Sequence, residues 1–190
     1  MKTIDVRFDD NTIAALKNII GRNVKKYKCD PPVVDSTVYG IIGIFIDDKV
    51  YKLTNFCEVL DYYGQPEDVA VFRFALSNKD EIKTCLLEGE MIDTPIESLI
   101  KEIHVINENQ RLFYKEQQTY NVWLTRGLIF ILADGSEISF EKDIWFSEFI
   151  ETQRGHKLIS KFSSVNIFLE GWEDCEGYRT ECSREATIIK

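Results

Sequence analysis

Side chains able to do chemistry are sparse in this chain, and none is grouped in a way that announces a reaction. The two histidines are His104 and His156. Neither has a serine, cysteine or carboxylate at the spacing of a nucleophile system. His104 falls in the alternating run Glu102–Ile106 and is expected on one face of a strand. His156 follows Arg154 and Gly155, at an exposed helix start. The five cysteines, Cys29, Cys57, Cys85, Cys175 and Cys182, are scattered and odd in number. That suits reduced thiols better than a secreted disulfide scaffold. Cys175 and Cys182 lack the second close ligand pair that structural zinc uses. No glycine-rich phosphate loop is present. The sequence therefore assigns no catalytic residue, no metal site and no cofactor.

One set of residues has the spacing of a metal-dependent hydrolase. A strand from Asp68, followed by Glu81-Ile82-Lys83, would set acids and a lysine where a nuclease holds a divalent ion. A chain this rich in Glu and Lys produces that spacing by chance, and a solvated charge cluster explains it as well.

Charge is more telling. With 23 Lys+Arg against 32 Asp+Glu, the net charge is -9. Residues 11–29 nonetheless carry five bases and no acid: Lys17, Arg22, Lys25, Lys26 and Lys28. On a helix these would form a basic face able to meet phosphates. The rest of the chain is acidic, and Glu170, Glu173, Asp174 and Glu176 stand around Trp172 and Tyr178. Aromatic anchors within an acidic rim suit a protein partner with a basic surface.

The elements that must position these residues follow from periodicity. Ile13, Leu16, Ile20, Val24 and Tyr27 recur at helical spacing and predict a basic N-terminal helix from about Asp10 to Tyr27, stopped by Pro31-Pro32. Residues 38–46 and 50–53 read as a hairpin. Asn55–Glu58 reads as a capping box opening a short helix, with Gly64 and Pro66 closing it. Val69–Leu76 reads as a strand. Thr94-Pro95-Ile96-Glu97 predicts a second short helix to about Lys101. Asn107–Gln110 reads as the turn of one hairpin and Asp134-Gly135 as that of another. Residues 145–152 are ambiguous between helix and strand. Leu158–Phe162 and Val165–Leu169 have helical spacing, and Arg179–Ile189 is a closing strand. The expected fold class is α+β, a mostly antiparallel sheet with a basic N-terminal helix, in a single domain over 1–190. A weak echo at a shift of 87 residues, Gly40 on Gly127 and Asp47 on Asp134, allows two hairpin-based halves, about 33–92 and 93–190, sharing one core.

At 44% hydrophobic residues the chain has material for a core, yet no run approaches the roughly 20 apolar residues of a membrane helix. Asp5, Arg7, Asp9 and Asp10 occupy the place of a signal peptide's apolar segment, so a cytoplasmic location is expected. The block from Gly127 to Asp143 resembles segments of uncharacterised small acidic proteins of Gram-positive bacteria and their mobile elements. That kind includes anti-CRISPR and immunity proteins, and the likeness carries over no functional residue. The leading expectation is a non-enzymatic acidic protein that inhibits or sequesters a macromolecule, a nucleic-acid-processing enzyme being the most concrete target. A nucleic-acid-binding module using the basic helix and a metal-dependent nuclease stand as alternatives.

Overall fold

β-Branched and aromatic residues at alternate positions dominate this chain, and sheet is what they build. The computed structural model describes residues 1–144 and 146–190; Trp145, which opens the ambiguous stretch, lies outside them. The strands are β1 (Lys2–Val6), β2 (Asn23–Cys29), β3 (Thr37–Tyr39), β4 (Ile41–Ile46), β5 (Lys49–Tyr62) and β6 (Gln65–Ser77). They continue with β7 (Ile92–Tyr114), β8 (Gln117–Leu132), β9 (Glu137–Lys142), β10 (Phe149–Gly155) and β11 (Tyr178–Ile189). Two short helices, α1 (Asp10–Lys17) and α2 (Asn166–Glu170), and two 3-10 turns, Lys79–Glu81 and Leu158–Lys161, complete the described structure.

The strand order is β3-β10-β9-β8-β7-β2-β4-β5-β6, with β1 added in parallel to β8 and β11 antiparallel to β7. β7 ties the sheet together. Its first residues, Ile92–Leu99, pair with β2, and from Ile100 to Tyr114 it pairs with β8. The two ends fold toward each other over one core. Tyr27 of β2 meets Phe140 of β9 edge to face at 5.6 Å, and Ile42, Ile44, Leu53, Phe72 and Phe130 fill the space between. Smaller clusters cover the outer faces, Leu158 and Phe162 over Ile106 and Ile129, and Ile82 over Ile41 and Val50.

The fold is thus essentially all-β, and the α+β expectation is corrected in four places. The N-terminal helix ends at Lys17 rather than Tyr27, and no basic helix forms. Its helical spacing has another source: a bulge between Val24 and Lys26 leaves Lys25 exposed and sends both Val24 and Tyr27 inward from β2. Asn55 caps no helix. It sits in β5, and its amide donates to the carbonyls of Ser147 and Phe149 at 3.0 and 2.9 Å. The hairpin turns only at Tyr63-Gly64, both at positive φ, 53° and 102°. Thr94-Pro95-Ile96-Glu97 lies in β7, against β2, where Glu97 at φ 53° accommodates the irregular register. Asn107–Gln110 is mid-strand, and the chain reverses at Lys115-Glu116 instead.

The Asp134-Gly135 turn and the closing strand stand as expected, and the helical spacing after His156 gives the second 3-10 turn and α2. Gly127 shows why glycine is needed on β8. A Cβ there would stand 2.6 Å from the Phe140 carbonyl oxygen and 2.8 Å from the Phe162 ring. Gly127→Ala is expected to lower stability by about 1–3 kcal/mol in urea unfolding, because backbone on one side and a buried ring on the other must both shift.

Candidate functional site

Four consecutive polar residues of β7 are buried. Asn107, Glu108, Asn109 and Gln110 are 7%, 3%, 6% and 3% exposed. Each has found a partner, as burial demands. The Asn107 side-chain oxygen accepts from the Thr125 hydroxyl at 3.1 Å, and the Asn109 amide donates to Asn121 Oδ1 at 2.7 Å. Glu108 accepts from Gln110 at 2.7 Å and from Arg184, its register partner on β11, at 2.7 Å. Next to them Arg126, the extra residue of a β8 bulge, donates to Glu141 at 3.0 Å, with both side chains at most 5% exposed. The Ser163 amide also donates to Glu141, at 3.0 Å. Burial works to raise the Glu108 carboxyl pKa, but Arg126, Arg184 and Gln110 bring it below its ordinary value. At Glu141 burial prevails over Arg126, and the pKa is raised.

Lys142, at the end of β9, is the odd member. It is 4% exposed, and its ammonium donates to the Asp143 carbonyl at 2.9 Å. Among the described residues no carboxylate lies within ion-pair distance of it. Burial, reinforced by the Arg126 charge, pushes its pKa down to about 7. Lys142, Arg126, Glu108 and Gln110 form the polar end of a cavity of about 40 Å³. The remaining wall is mainly apolar and comes from β1, the far ends of β5 and β6, β8 and α2, including Ile4, Leu60, Ala70, Leu124 and Phe168. An apolar cavity with a few convergent polar groups is the usual form of a small-molecule site.

A second feature adjoins it. Two hairpin tips, Tyr62-Tyr63-Gly64 and Tyr114-Lys115-Glu116, meet the α2–β11 connection. Tyr63 stacks on Phe168 at 6.0 Å and lies 5.2 Å from both Tyr120 and Trp172, edge to face. Trp172 lies 5.5 Å from Tyr178, which in turn lies 4.9 Å from Tyr114. The Tyr63 hydroxyl donates to Gln110 at 3.3 Å, linking this cluster to the buried polar residues. Of the residues expected to bind a partner, Trp172 and Tyr178 are thereby brought together. Glu170, Glu173, Asp174 and Glu176 are exposed on the chain around them. The tyrosines at the hairpin tips escaped the sequence reading; their position directly before turn residues was the available signal.

The other candidates converge only in part: Lys25, Lys26 and Lys28 line one surface depression with Lys49, Lys79, Asp47 and Asp48, while the rest lie apart. Lys17 closes α1, Arg22 lies in the following turn, and Lys25, Lys26 and Lys28 lie on β2. Lys26 is paired with Asp93 at 2.6 Å and Arg22 with Asp47 at 3.8 Å, so acids interrupt the basic run. Asp68 and Glu81 belong to opposite ends of the β5–β6 hairpin, about 30 Å of strand apart. Glu81 already accepts from Lys52, Ser77 and Asn78 at 2.8, 2.9 and 2.7 Å. Lys83 is exposed beyond it. Among the described residues no cluster of His, Cys, Asp and Glu suits a metal. The five cysteines are free, and burial raises the Cys29 thiol to about 11 and Cys182 to about 12. His104 contacts Glu102, and His156 contacts the Gly135 carbonyl at 3.1 Å. Among the described residues no helix is long and apolar enough to cross a membrane. Comparison with protein-family models, with curated proteins and with solved structures finds no match for this chain.

Proposed function

We propose that this is a non-enzymatic binding protein that holds a basic surface of a macromolecular partner against its aromatic, acid-rimmed end. The observation that carries this reading is the segment 162–178, which has four acids and no base and presents Trp172 and Tyr178. Trp172 is half-buried against Tyr63, and Tyr178 is 42% exposed, so both rings are held in place and still accessible. Ordered aromatic rings lose little entropy on docking and supply most of an interface's energy, while flanking charges steer encounter. Enzymes that process nucleic acids carry the complementary surface, a basic groove. Occupying it would inhibit or sequester such an enzyme, in the manner of an anti-defence or immunity protein.

The test is affinity capture on tagged wild type and on Trp172→Ala, in lysate with and without nuclease treatment. A basic protein held by wild type, released by salt and at least tenfold depleted on Trp172→Ala supports the reading. Equal capture by both, or capture that vanishes with nuclease treatment, overturns it.

A further inference from the structure

We propose that the cavity beneath the hairpin tips binds a small organic monoanion, a short-chain carboxylate whose head group sits on Lys142 Nζ and whose hydrocarbon body fills the apolar end. The charge balance asks for such a ligand. Glu108 is matched by Arg184 at 2.7 Å and Glu141 by Arg126 at 3.0 Å. Lys142 remains with a single backbone carbonyl partner. An ammonium has three donors, and a buried cation without a counter-ion is among the most costly groups a fold can hold. An anion in the cavity supplies both the missing acceptors and the missing charge.

The walls select the rest of the ligand. Ile4, Leu60, Ala70, Leu124 and Phe168 offer hydrocarbon contact, and the polar residues of this wall are Tyr62, Ser164 and Asp61, the last paired with Lys2. The volume of about 40 Å³ is small, which limits the chain to a few carbons. Groups facing Lys142 are Arg126 from β8, Glu108 from β7, Cys57 from β5 and the adjoining Asp143, with Glu141 preceding it on β9. Among these Arg126 disfavours its charge, so the amine takes up a proton as the anion enters.

The probe is butyrate, titrated calorimetrically into the full chain at pH 8 in two buffers of different ionisation enthalpy, with butyramide as the neutral match. Expected are binding in the range of about 0.1–5 mM, uptake of close to one proton, and no heat from butyramide. Lys142→Met is expected to weaken butyrate at least tenfold. Ala70→Leu, which fills the apolar end and keeps the lysine, is expected to do the same. No heat from butyrate up to 50 mM with wild type overturns the proposal, as does equal binding of butyramide. Undiminished binding by both variants overturns it too. Partner capture at Trp172 is read separately, so either site can fail without the other.

Discussion

Arg126→Met is expected to lower the free energy of unfolding by about 3–5 kcal/mol at pH 7, read from urea denaturation. The residue it leaves behind decides the size of the effect. Glu141 is 2% exposed and accepts from Arg126 and from the Ser163 amide. Without the guanidinium its charge is buried beside one backbone donor. Its pKa, already raised by burial, must climb further. An acid whose folded pKa exceeds its unfolded value loses stability as pH rises above the unfolded value. The gap between wild type and Arg126→Met should therefore widen from pH 4 to pH 7. Adding Glu141→Gln removes the charge and keeps an acceptor for Ser163. The double variant should recover about 2 kcal/mol, far from additive behaviour. A pH-independent loss, or additive single losses, would show that the pair is not coupled in this way.

The same buried polar residues explain which parts of the molecule the sequence discloses. Strands in which apolar and polar residues alternate, such as β9 with Ile138 and Phe140 on one face and Ser139 and Glu141 on the other, announce themselves by that alternation even though both faces are buried, and Asp134-Gly135 by its turn chemistry. Asn107–Gln110 misleads for a physical reason. Four polar residues in a row ordinarily mark a turn, because burying them requires partners, and here Thr125, Arg184 and Asn121 come from other strands. Val24 and Tyr27 mislead because a bulge makes a three-residue step point both side chains inward, as a helix turn does. Asn55 has the side-chain oxygen that a helix start would use as an acceptor, but in β5 it bonds through its amide nitrogen instead, donating to carbonyls of the 147–149 segment. The acidic aromatic end is readable because Trp172, Tyr178 and the acids are neighbours in sequence. The cavity is not: Ile4, Ala70, Glu108, Lys142 and Phe168 come from five separate elements, brought to one place by the pairing of β8 with β1, β7 and β9 and by β6 and α2 lining the same space.

Lys142→Met is expected to raise stability strongly at neutral pH and several times less at pH 10. The unfolded lysine titrates near its ordinary 10.5, and the folded one at about 7. Between these values the unfolded chain binds more protons than the native one, so wild-type stability is lost as pH falls through that window. A depression of this size corresponds to about 4 kcal/mol at pH 7 and about 1 kcal/mol at pH 10. Below pH 7 both states are protonated and the difference flattens. Tyrosines and other groups titrate in the same range, but they are common to both proteins and cancel in the comparison. Urea unfolding of the two at pH 6, 7, 8.5 and 10 reads the effect directly; a difference that does not change with pH would mean that Lys142 stays charged and paired. Saturating butyrate should stabilise wild type at pH 7 and not Lys142→Met, since only the lysine gives the anion a reason to enter. A methionine fits the apolar wall formed by Leu60, Ala70 and Phe168 and needs no partner. Retaining a lysine there instead weakens the fold, and a group kept at such a cost to stability is where binding function is to be sought.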